Sequence, residues 1–71
     1  MYNVYITAPD GLELREWCGK RKITWHYVTR EETFVNNNWE VRFSYSLERV
    51  SEFDAIELKF TFPDWYMYFS K

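Results

Sequence analysis

The stretch Trp39-Glu40-Val41-Arg42-Phe43-Ser44-Tyr45-Ser46-Leu47 alternates strictly between large apolar and polar side chains. Successive residues of a β-strand point to opposite faces. Trp39, Val41, Phe43, Tyr45 and Leu47 therefore share one side, and Glu40, Arg42, Ser44 and Ser46 the other. One dry and one wet face is the pattern of an antiparallel sheet covered on one side only. Ile56 to Phe62 shows the same spacing, with Ile56, Leu58, Phe60 and Phe62 set against Glu57, Lys59 and Thr61. Joined by Ser51-Glu52-Phe53-Asp54, the two runs predict a neighbouring pair of strands.

Upstream, Lys22 to Val28 sets Ile23, Trp25 and Tyr27 against Thr24, His26 and Val28. Asn36-Asn37-Asn38 follows, and asparagine tolerates the left-handed backbone that a tight hairpin needs. Strands are expected over 22–35, interrupted around Arg30-Glu31-Glu32, over 39–48 and over 55–62. Tyr2 to Thr7 adds a strand ended by Ala8-Pro9-Asp10-Gly11. Residues 11–18 allow a hairpin strand or a short helix capped by Asp10 and stopped at Gly19; the broken alternation at Glu16-Trp17 favours the helix. Residues 46–53 also admit helix or strand, and Asp64 to Phe69 a last strand or one helical turn. The expected fold is mainly β, with α+β admitted. It is a small antiparallel sheet of four to five strands in meander order, with at most one or two short helices, in a single domain over residues 1–71.

Seventy-one residues lie near the lower limit at which a hydrophobic core alone holds a fold. Cys18 is the only cysteine and His26 the only histidine, so no intrachain disulfide and no four-ligand zinc site is expected. No cofactor or metal is implied. Aromatic area is the remaining resource: the chain holds 16 Trp, Tyr and Phe residues, 23% of its length, and each such ring can bury roughly 150–250 Å². The mean hydropathy of −0.56 is low because Tyr and Trp score as polar. The longest apolar run, Trp65 to Phe69, is far too short to span a bilayer. No leader-like segment opens the chain, so a reducing cytoplasm, that of the host cell if the chain is viral, is the expected location.

Catalysis needs assembled groups, and the sequence offers few. Cys18 and His26 lack an orienting partner, Glu31 and Glu32 point to opposite sides of a strand, and Gly11 and Gly19 make no phosphate cradle. The expectation is a chain that is not an enzyme. Net charge is −2, unevenly spread: residues 1–30 hold five basic and three acidic side chains, residues 31–70 three and eight. Such a field is unfavourable for DNA and favourable for a basic protein surface.

Two segments suggest binding. Trp65, Tyr66, Tyr68 and Phe69, with the carboxylates Glu52, Asp54 and Glu57, form a candidate partner-binding set, because Tyr and Trp anchor interfaces at low entropic cost. Trp17, Lys20, Arg21, Lys22 and Trp25 interleave cations with rings, as single-stranded nucleic-acid binders do, and give the second candidate within segment 17–25. The expected function is a non-enzymatic protein-binding module. Nucleic-acid binding is the alternative, and a homo-oligomeric subunit, most simply a homodimer paired through an edge strand, is a third. In size, acidity and lack of motifs the chain resembles short phage-encoded inhibitors such as anti-CRISPR and other anti-defence proteins. That resemblance of profile implies an inhibitor that occupies the surface of a larger protein.

Overall fold

The computed structural model describes all 71 residues as four strands and two helices: β1 (Tyr2–Ala8), α1 (Gly11–Arg21), β2 (Thr24–Val35), β3 (Asn38–Val50), α2 (Glu52–Thr61) and β4 (Tyr66–Ser70). The strands form one antiparallel sheet in the order β2-β3-β1-β4. The molecule is thus mainly β, but the expected meander does not form. β3 is inserted between β1 and β2, and β1 between β3 and β4, so each helix crosses over an intervening strand. This connectivity is the double split βαβ, or ferredoxin-like, arrangement.

The largest correction falls on 55–62, expected as a strand: residues 55–61 lie within α2 and Phe62 caps its C-terminus. Ser51 caps that helix, its side chain accepting from the Asp54 amide at 3.1 Å, with Glu52 and Asp54 in the first turn where the helix dipole favours anions. The supposed connection Ser51-Glu52-Phe53-Asp54 is therefore a helix start. α1 opens as expected on Asp10, which accepts from the Leu12 amide at 2.9 Å. It does not stop at Gly19, however. It runs to Arg21 and closes on Lys22, whose left-handed backbone (φ 56°) lets Ile23 donate to the Cys18 carbonyl at 3.0 Å.

β2 and β3 form a long hairpin around Asn36 and Asn37, both left-handed (φ 52° and 64°), as a two-residue turn requires. β2 is continuous through Arg30-Glu31-Glu32. Its irregularity lies at Val28, where the register shifts between Tyr27 and Thr29. β3 has its own bulge at Arg49 (φ 55°), which returns Val50 to the side of Leu47.

Both helices cover one face of the sheet. Val4, Ile6 and Ala8 of β1 meet Tyr45, Leu47 and Val50 of β3, beneath Leu14, Trp17 and Cys18 of α1 and Ala55 and Leu58 of α2. Leu14, Trp17 and Cys18 recur at the i, i+3, i+4 spacing of a helix stripe. Tyr45 is the pivot of the aromatic part, with Trp25 and Tyr27 edge-on to it, each 5.8 Å away. Beyond Phe43, which pairs with Ala8 at the end of β1, the hairpin leaves the sheet and continues as a two-stranded ribbon. The molecule is correspondingly elongated, 39 × 21 × 18 Å. No helix is long and apolar enough to cross a membrane.

Candidate interaction face

The side of the sheet away from the helices is bare. Alternation along β1 buries Val4, Ile6 and Ala8 and turns Asn3, Tyr5 and Thr7 outward. Strand pairing then builds two rows across the four strands. One reads Thr29, Ser44, Thr7, Tyr66 and the other His26, Ser46, Tyr5, Tyr68. Tyr5, Tyr66 and Tyr68 are 48%, 67% and 57% exposed. Tyr5 and Tyr68 lie side by side, 6.2 Å between ring centroids, and the Thr7 and Ser44 hydroxyls share a hydrogen bond of 3.3 Å.

No carboxylate, lysine or arginine stands in these two rows. Charge collects at their ends. Glu48 reaches His26 at 3.4 Å, while on the ribbon Glu31 pairs in register with Arg42, whose guanidinium donates to Glu40 at 3.2 Å. Three carboxylates against one guanidinium make the rim acidic. Next to Thr7 and Tyr66 the face dips into a hollow of about 820 Å³, walled by Glu40, Val41, Arg42 and Trp65. β3 has no neighbour on that side once β1 has ended, so its backbone edge is open there.

The first candidate set is divided between two sides of the molecule. Tyr66 and Tyr68 belong to the bare face. Trp65 stacks flat on Phe62 at 3.9 Å, and Phe69 turns toward the helices and meets Tyr2 edge-on at 6.5 Å. Glu52, Asp54 and Glu57 sit on α2, across the sheet from the tyrosines. Asp54 and Glu57 are engaged by Arg21, which lies 3.9 Å from Asp54 and donates to Glu57. The second set is largely absorbed by the fold. Trp17 is buried beneath the Arg21 guanidinium (4.2 Å), Trp25 packs on Tyr45 with Arg15 over its ring (5.7 Å), and Lys22 caps α1. Of its cations only Lys20 stands fully exposed without a structural role. Nothing in the sequence alone sets Tyr5, Thr7, Ser44 and Ser46 apart as site residues. The period of two places each on a strand face, but only pairing of β1 with both β3 and β4 makes them one surface.

Cys18 is fully buried, and burial pushes its thiol up to about 11, with Arg21 opposing the shift. A thiol so held is protonated at neutral pH and is a poor nucleophile. No three His, Cys, Asp or Glu side chains gather in a metal-ligating cluster. No protein-family model, curated protein or solved structure matches the chain.

Proposed function

We propose that the protein is a non-enzymatic protein-binding module whose bare sheet face docks onto a larger protein through Tyr5, Tyr66 and Tyr68. The observation that carries this reading is the grouping of three exposed tyrosines on one flat, uncharged surface, among Ser, Thr and Asn. Tyrosine brings a large amphipathic area with only two side-chain torsions to immobilise, and small hydroxyl residues supply adaptable hydrogen bonds, the composition favoured in antibody paratopes. The acidic rim of Glu31, Glu40 and Glu48 selects a partner with basic residues around a flat patch, and the hollow beside Tyr66 suits one of its side chains. Occupying that patch is an inhibitor's mode of action, in keeping with the chain's profile. Single-stranded nucleic acid also stacks on aromatic sheet faces, but it needs cations for its phosphates, and the tyrosine rows carry none.

Affinity capture from lysate with the wild-type chain, run beside the Tyr5→Ala/Tyr68→Ala double variant, tests the reading. One stoichiometric protein is expected with the wild type and is lost with the variant, whose circular dichroism should be unchanged because both rings are half exposed. Equal recovery by both chains, or salt-sensitive capture of single-stranded oligonucleotides in place of a protein, would overturn it.

A further inference from the structure

A second apolar surface lies on the opposite side of the molecule, on α2. At 3.6 residues per turn, Phe53, Ile56 and Phe60 fall within about 60° of one another around the helix axis, and all point to solvent, 74%, 54% and 81% exposed. Ala55 and Leu58, on the opposite side of the helix, fill the core. Glu52 and Lys59 border one edge of the stripe. They stand roughly 20° apart in angle and about 10 Å apart along the axis. Beside them a groove of about 300 Å³ runs between Ile56 of α2 and Tyr2 and Phe69 of the sheet.

We infer that α2 is a self-association surface, on which a second copy of this chain packs its own α2 antiparallel about a two-fold axis near Ile56. The charges select this occupant and this direction. An antiparallel two-fold sets each helix flank against the same flank of its partner, running the other way. Within one residue's rise, Glu52 then meets Lys59 of the other copy, and Lys59 its Glu52. The same offset brings Phe53 to the other copy's Phe60, beside a groove with room for a ring. A parallel two-fold would instead set this flank against the opposite one, so that Glu52 and Lys59 never meet and face Asp54 and Glu57, which Arg21 already engages. On the other flank Glu57 approaches its own copy, but Arg21 already neutralises it.

The area sets the strength. Rings of roughly 150–250 Å² at these exposures leave about 110–200 Å² of each phenylalanine to bury. Four rings give roughly 450–800 Å², which with Ile56 and the flanks places the contact at the weak, reversible end of specific interfaces. The dimer leaves both tyrosine faces outermost and pointing apart. If the reading of those faces as docking surfaces holds, the assembly is bivalent.

Sedimentation velocity of the full chain, from micromolar to millimolar and without any partner, tests this independently of the tyrosine face. A reversible monomer–dimer equilibrium is expected. Phe60→Glu should weaken it by at least roughly 30-fold while leaving the monomer's circular dichroism intact. Glu52→Lys or Lys59→Glu alone should weaken it several-fold, and the double reversal Glu52→Lys/Lys59→Glu should restore it. A chain that stays monomeric at millimolar concentration overturns the inference. So does a dimer indifferent to Phe60→Glu but lost on Thr29→Pro, which would place the contact on the β2 edge, or a double reversal that fails to recover association.

Discussion

Gly11 and Gly19 belong to the same helix and meet opposite surroundings. A Cβ added to Gly11 would overlap the Tyr45 hydroxyl and ring, whereas one added to Gly19 has nothing within 4 Å. Gly11→Ala must push Tyr45 out of its place between Trp25 and Tyr27, and overpacking of this kind destabilises by about 1–3 kcal/mol. Gly19→Ala should instead stabilise by about 0.5–1 kcal/mol, through lower backbone entropy in the unfolded chain. Urea unfolding of the two variants should therefore give shifts of opposite sign. At Cys18 the folded thiol titrates at about 11, above the ordinary value of 9.0. The native state thus favours the protonated form, a contribution fully present below pH 9 and lost as pH rises through 11. Wild type should lose stability over that window relative to Cys18→Ala, and a thiol reagent at pH 8 should react only after denaturation.

Among the elements, α2 shows how a helix can carry a strand's pattern. Two helical residues two positions apart lie about 200° apart around the axis, so an apolar residue at every second position alternates between opposite sides of the helix. Leu58 and Phe62 go inward, Ile56 and Phe60 outward. One fact thus makes the segment read as a strand and gives the folded helix an exposed stripe. The competing signal was Ser51 with Asp54 three residues on, the spacing of an N-terminal cap. Leu58→Ala should cost about 2–5 kcal/mol, as expected of a core cavity. Phe60→Ala, at concentrations that keep the chain monomeric, should stay within about 0.5 kcal/mol. Thermal melts of the two variants separate them; similar losses would return Phe60 to the core.

At the scale of the whole molecule, the core and the exposed rings occupy different regions. Nine of the 16 aromatic residues are exposed, and only Trp17 and Tyr45 are buried. The ribbon beyond Phe43 contributes nothing to the core, and its tip pair Phe34 and Trp39, 5.2 Å apart, is open to water. An unsupported two-stranded hairpin is marginal in water. Amide exchange should accordingly be fast across residues 31–41 and slow in β1. Replacing residues 33–40 by a two-residue turn should lower the melting temperature by no more than a few degrees. A large loss would mean that the ribbon supports the core.

Strand β3, the helix at 11–18 and the asparagine hairpin were legible in the sequence, because alternation, caps and turn residues act over a few positions. The surplus of rings was legible as well, but not which ones stay outside. Ile56 to Phe62 satisfied two periodicities at once, and only packing of α2 over β1 and β3 chose between them. Strand order lay equally beyond local reading, since pairing of Tyr2–Ala8 with both a central and a C-terminal strand depends on contacts across distances in sequence that run from Ala8–Phe43 to Asn3–Ser70. That pairing brings Tyr5, Tyr66 and Tyr68 together, so the candidate face exists only in the folded chain.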